Sequence, residues 1–203
     1  MTIFFASQNQ GKIAEAFYLF MASGHQLFTF NDQNLLKAKG IIFPNDFSIE
    51  ESGATLAENA LLKAKAVAEI SQLPTLADDS GLLLDAFPGF PGVKSNRWHE
   101  GSDQDRNRAL LKKLKEVDNR GAKFQTVLAI FNPKTNEEEL FYGEVQGQIA
   151  LAPKGEAGFG YDPLFIPDTY EQTFAQLGMD TKNKISHRAQ AWEKFAAYLA
   201  KQV

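Results

Sequence analysis

The chain has 203 residues, 44% hydrophobic and 23% charged, with a formal net charge of −4. That suits one large domain or two intimate lobes and excludes a disordered or fibrous chain. The absence of cysteine excludes disulfide scaffolds, thiolate metal sites and thiol nucleophiles, and the lack of a Lys/Arg block argues against nucleic-acid binding.

The start, "MTIFFASQNQGK", lacks the basic n-region and long apolar stretch of a signal peptide. No segment approaches the ~20 apolar residues of a membrane span, so a soluble cytoplasmic protein with no membrane partner is expected. "TIFFAS" (2–7) is a short strand candidate, followed by a helix over 10–23 with Ile13, Ala16, Phe17, Phe20 and Met21 at helical spacing. "HQLFTF" reads as a second strand. The helix over 55–70 has Leu56, Ala60, Leu61, Ala64, Val67 and Ala68 on its apolar face, and Thr55 to Glu58 fits a capping box.

"LADDSGLLLDAF" (76–87) reads as a buried strand interrupted by two acids, with a break at Ser80-Gly81. A helix over 102–117 is capped by Ser102 and has acids in its first turn. "KFQTVLAIFN" and "EELFYGEVQGQIA" form a long hairpin joined by "PKTNE". A Gly/Pro-rich stretch follows. The last helix starts near Ser186, with Ala189, Trp192, Phe195 and Leu199 facing inward. The pattern is α/β with a mixed sheet.

Four stretches break the local pattern. "SQNQGK" (7–12), between a strand and a helix, offers backbone N–H groups and Lys12 to phosphates. It departs from a Walker A loop, because Ala6 stands for the first glycine and Ile13 for the magnesium-binding hydroxyl. Around the next helix, Glu58 is most simply the capping partner of Thr55. Asn59 and Lys63 share a helix face, and Glu50 and Glu51 either reach a cation or are solvated.

Asp78 and Asp79 point to opposite faces of a strand. One would face the chemistry while the other accepts local donors or pairs with a base; the plainer reading is an Asp-Ser-Gly turn. In "GFGYDP" (158–163), Phe159 and Tyr161 among glycines suit a stacking platform for a base. In "KNKISHR" (182–188), His187 and Arg188 fall in the first turn of the last helix. Cations there oppose the helix dipole, which an anionic or carbonyl-bearing ligand would explain; the plainer reading is an exposed surface pair.

Together and in order, "SQNQGK", "EESGATLAENALLKA", "ADDSGLLLDAFPGFPGV", "GFGYDPLF" and "ISHR" resemble the inosine triphosphate pyrophosphatase family, over almost the whole chain. The resemblance implies a single bilobal domain over residues 1–203: a long mixed β-sheet flanked by helices, two lobes with a central active-site cleft, and a homodimer. It also implies hydrolysis of deaminated purine nucleoside triphosphates such as ITP, dITP and XTP to monophosphate and pyrophosphate, with Mg²⁺. Carried over residue by residue, Ser7, Gln8, Asn9, Gln10, Gly11 and Lys12 match the phosphate loop, and Glu50 matches a metal-binding acid. Lys63 matches a lysine beside the phosphates, and Asp79 the acid that binds metal and activates water. Ser80, Phe159, Gly160, Tyr161, Asp162, Lys182, His187 and Arg188 match nucleotide contacts.

The chain departs from the family at Ser7-Gln8, at Lys94-Ser95-Asn96-Arg97-Trp98 and at "SHRA", which bears on the rim of the site and on substrate preference. On this reading Lys12 and Lys63 neutralise the leaving pyrophosphate, His187 meets the 6-oxo group of the base, and Arg188 meets position 2. The alternatives are a related pyrophosphatase for modified pyrimidine nucleotides and a non-catalytic nucleotide sensor.

Overall fold

A computed structural model describes residues 1–21 and 24–201; the last two residues of the helix expected over 10–23 lie outside them. A mixed seven-stranded sheet has the order β2-β1-β3-β5-β6-β7, with β4 paired to β3. Its strands are β1 (Thr2–Phe5), β2 (Gln26–Phe28), β3 (Thr75–Leu84), β4 (Phe87–Pro91), β5 (Gly121–Asn132), β6 (Glu137–Ile149) and β7 (Phe165–Pro167). β1 runs parallel to β2 and β3, whereas β4 and β7 run antiparallel to β3 and β6. The helices are α1 (Gln10–Phe20), α2 (Gln33–Ala38), α3 (Leu56–Ser71), α4 (Asp103–Lys113), α5 (Phe174–Ile185) and α6 (His187–Leu199). Among the described residues, no helix is long and apolar enough to cross a membrane.

The described chain divides into two compact units, with boundaries inside β3, β5, β6 and α6. The first comprises Met1–Asp79, Val127–Tyr142 and the chain from Ala191 onward. Its core includes Ile3, Phe5, Phe20, Leu76, Trp192 and Phe195. Phe5 and Phe20 each meet the Trp192 ring edge-on, with centroids 5.7 Å apart, an arrangement aromatic pairs favour. The second unit comprises Ser80–Thr126 and Gly143–Gln190. Its core includes Leu82, Leu110, Phe124, Tyr161, Phe165 and Phe174.

Three local expectations are corrected. α1 buries Lys12, Ile13, Glu15, Ala16 and Phe20 and leaves Phe17 41% and Met21 82% exposed. Its inward face therefore includes two charged residues, Lys12 and Glu15. β3 does not break at Ser80-Gly81 but continues to Leu84. Gly81 serves close approach instead, because a Cβ there would lie 2.5 Å from the Gly92 carbonyl oxygen. At the start of α3 only half of the capping box forms. Thr55 Oγ1 accepts the Glu58 N–H (3.1 Å), while the Glu58 carboxylate takes the N–H of Ala54 (2.6 Å) rather than that of Thr55.

Candidate active site

Within the first unit, three segments bring charged side chains together. The loop after β1 leads into α1, capped by Asn9, whose Oδ1 accepts the Lys12 N–H (3.1 Å). The Asn9 N–H in turn reaches Ser7 Oγ (3.3 Å), so the loop uses two of its own donors to hold its shape. Gln8 and Asn9 are exposed. Gln10 is exposed too, and its side chain reaches back to the Gln8 carbonyl (3.4 Å) and accepts from Asn31 (3.2 Å). Gly11 is half-buried and Ser7 is buried. Lys12 is buried as well, and its ammonium lies 3.1 Å from Asp78 Oδ1.

On the other side of β3, Lys63 of α3 lies 2.8 Å from Asp79 Oδ1 and 2.7 Å from Glu51 Oε1. The two neighbouring acids thus take one lysine each, as alternation along a strand requires. Asn59, fully buried, accepts the Gly53 N–H (2.8 Å) and directs its amide toward Asp79 Oδ2 (3.5 Å). It links the loop carrying Glu50 and Glu51 to the acid on β3. Glu50 is exposed; of the two acids read as either reaching a cation or solvated, it is Glu51 that meets Lys63.

Burial disfavours the charged form of Lys63, but the carboxylates of Asp79, Asp78 and Glu51 outweigh it and hold the ammonium above the ordinary lysine range. Burial likewise pushes Asp79 above the usual carboxylate range, and Lys63 and Lys12 offset this only in part. A carboxylate shifted upward beside a fixed cation is a stronger base than one in water. Lys12 and Lys63 are thus paired with Asp78, Asp79 and Glu51. Among the described residues no three His, Asp or Glu side chains form a ready metal cage. The donor set fits magnesium that arrives with a phosphate ligand, because this ion is held by one or two carboxylates plus substrate oxygens.

The second unit holds the other group. The turn 158–162 has Gly158 at φ +81° and Gly160 at φ +62°, left-handed conformations that favour glycine. Phe159 stands half-buried between them, and its N–H donates to Asp162 Oδ2 (2.9 Å). Asp162 pairs with Lys182 at the end of α5 (2.5 Å), both side chains being nearly inaccessible. The Lys182 ammonium lies 4.6 Å and the Arg188 guanidinium 5.6 Å from the centre of the Phe159 ring, within cation–π range.

Arg188 donates to Ser80 Oγ (3.1 Å), and Ser80 shares a further short hydrogen bond with Thr126. Ser186 Oγ accepts the Ala189 N–H (3.1 Å) and so caps α6, placing His187 and Arg188 in its first turn. The His187 ring stacks on Phe124 (4.7 Å, 12°).

Tyr161 belongs to the interior: its hydroxyl accepts from Trp98 Nε1 (2.6 Å) and donates to the Ser95 carbonyl (2.7 Å). Burial pushes this phenol up to about 12. Trp98, one of the departures noted above, therefore supports the turn through Tyr161. Only the order Trp98 after Ser95 was visible in the sequence; their meeting with a residue 63 positions from Trp98 was not.

A family model described as the Ham1 family matches residues 3–198. The dITP/XTP pyrophosphatase of Symbiobacterium thermophilum is 42% identical over 188 residues, covering 92% of this chain and 88% of that protein. That of Deinococcus radiodurans is 48% identical over 152 residues, 74% of each. Among solved structures, the Staphylococcus aureus Ham1 protein superposes with a TM-score of 0.84 at 36% identity over the whole of both chains. A HAM1 protein from Coxiella burnetii gives 0.85 at 34% identity over 99% of each.

Proposed function

The chain belongs to the Ham1 family, and from that premise we propose that it hydrolyses deaminated purine nucleoside triphosphates, namely dITP, ITP and XTP, to the monophosphate and pyrophosphate. Relatives carrying the name dITP/XTP pyrophosphatase support this reading. The observation that carries it is the half-buried Lys63, held between Asp79 at 2.8 Å and Glu51 at 2.7 Å, with Asp79 pushed toward basicity by burial. Such a group suits removal of a proton from an attacking water.

In this reading Asp79 orients and deprotonates the water, which attacks the α-phosphorus, and the P–O bond to the pyrophosphate breaks. Lys63 stays protonated and offsets charge on the leaving group. The 7–12 loop receives phosphates through backbone N–H groups at the start of α1. The pairing of Lys12 with Asp78 makes Lys12 a contributor to the local field more than a direct ligand. Asp79 and Glu50 would hold magnesium together with phosphate oxygens; when bound, the ion supplies charge neutralisation and acidifies coordinated water. In the second unit Phe159 receives the base, with Arg188 and Lys182 beside it and His187 next to Arg188. A cytoplasmic homodimer is part of the same proposal and rests on family resemblance; sedimentation would test it.

The test is a panel of nucleoside triphosphates assayed for pyrophosphate with and without Mg²⁺. Release from ITP, dITP and XTP but not from pyrimidine triphosphates is expected, and loss on chelation. Binding of ITP without pyrophosphate release under any divalent ion would overturn the reading in favour of a sensor.

A further inference from the structure

The mechanism above leaves two side chains of α4 without a role, although both reach the turn that carries Phe159. Asp103 Oδ2 accepts the N–H of Gly160 (2.8 Å), and Asn107 Nδ2 donates to its carbonyl (3.0 Å). Four positions apart, they share one face of the helix, so a single rigid element holds both polar groups of one residue. We propose that Asp103 and Asn107 are positioning residues that fix the Phe159–Gly160 turn in the shape that receives a purine ring. The proposal rests on the reading that Phe159 takes the base.

Three observations favour this over a purely local role. Asp103 is not needed to cap α4, because Ser102 and Asp105 already form a complete capping box. Asn107 is buried and its Oδ1 has no hydrogen-bond partner. A buried amide left half-satisfied is a poorer core residue than leucine, so what it gains is its bond to Gly160. Finally, the turn is held from its other side too, since the Phe159 N–H is taken by Asp162, which is paired with Lys182. Successive backbone groups on both sides of the Phe159–Gly160 peptide are thus restrained, although Gly160 at φ +62° is the kind of residue that otherwise moves freely. Restraint before the ligand arrives lowers the ordering cost of binding it. α4 touches neither Asp79 nor Lys63 through these contacts, so the effect should fall on base recognition and spare the chemical step.

Asn107→Leu, Asp103→Ala and Asp103→Asn are compared with the unaltered enzyme and with Phe159→Ala, using kcat and KM for ITP and XTP and inhibition by pyrophosphate, which lacks a base. Asn107→Leu is expected to raise KM for both purines about tenfold, the scale of one hydrogen bond. Its kcat and its inhibition by pyrophosphate should stay within about twofold. Asp103→Ala should move the same way by a smaller factor, and Asp103→Asn, which keeps an acceptor, should restore the KM. If Asn107→Leu does not fold, the Asp103 pair alone decides. A kcat fall matching the KM rise, equal weakening of pyrophosphate, or no KM change in the folded variants overturns the proposal. If Phe159→Ala also leaves KM unchanged, the stacking reading fails with it; if Phe159→Ala raises KM while the α4 variants do not, only the positioning role is lost.

Discussion

The site lysines of the two units keep different company. In the first, Lys12 faces Asp78, and Lys63 faces Asp79 and Glu51. In the second, Lys182 faces Asp162 and lies near the rings of Phe159 and Phe174 at 4.6 and 5.8 Å. Arg188 adds a second cation beside Phe159. The first cluster is built from ion pairs, whereas in the second the cations also lie over aromatic rings. Under the function proposed above, the first cluster suits phosphates and the second a ring with carbonyl oxygens.

The largest effect separates a lysine that holds structure from one that holds a ring. Lys12→Met removes the ammonium 3.1 Å from the buried Asp78, and breaking a buried pair in this way costs about 3–5 kcal/mol. Lys182→Met is expected to destabilise on the same scale and, in addition, to weaken purine binding through Phe159. Urea unfolding together with KM for ITP measures both; if Lys12→Met is as stable as the unaltered chain, its ion pair with Asp78 contributes nothing.

Next comes Asp79→Asn, which keeps shape and removes basicity. Binding of nucleotide should survive while kcat falls by at least ~10²-fold, the scale of a lost acid–base group. Near-normal turnover with Mg²⁺ would make Asp79 structural and erase the chemical half of the contrast.

How much of this was legible beforehand depended on whether the signal was local. α3 was read nearly whole because its caps and apolar stripe lie within one stretch, and the hairpin of β5 and β6 likewise. α5 was missed: Gly178 at φ +76° interrupts it, although the capping box from Thr173 to Gln176 was there to be found. α2 and β4 are short and lack periodicity. The site residues were legible as residue types in order, but not their partners. Which acid Lys12 would meet, or that Glu51 rather than Glu50 would meet Lys63, depends on side-chain directions that no spacing rule supplies. Gly81 was misread as a turn because a glycine required by a distant backbone carbonyl looks the same, in sequence, as one required by a turn.

The Tyr161 phenol tests the second unit by itself. With its folded value near 12 and an ordinary value of 10, the folded state keeps a proton that the unfolded chain loses. The stabilisation is complete below pH 10 and disappears as pH rises through 12, amounting to about 2–3 kcal/mol. Tyr161→Phe should therefore flatten the alkaline limb of a stability–pH curve. An unchanged limb would mean that the Trp98–Tyr161–Ser95 chain does not hold its proton as drawn.

The smallest expected effect is on selectivity. Xanthine has an acceptor at position 2 where guanine has an amino group, so a fixed donor there favours the former. Arg188→Gln should lower the XTP-over-GTP ratio of kcat/KM by about tenfold, or ~1.4 kcal/mol. Phe159→Ala should weaken all purines together and leave that ratio unchanged. An intact ratio in Arg188→Gln assigns the donor elsewhere.

The chain has two tryptophans and no cysteine. Trp192 lies in the core of the first unit, and Trp98 packs against that of the second. Each unit thus carries its own fluorophore, and the sequence offers no competing thiol. Trp98→Phe and Trp192→Phe each leave one emitter, whose denaturation profile reports a single unit. Coincident midpoints would mean one cooperative fold; separated midpoints would mean that one unit can melt while the other stands. A cysteine introduced in either unit could likewise be labelled at that position alone, making the protein a ready subject for optical study of nucleotide binding.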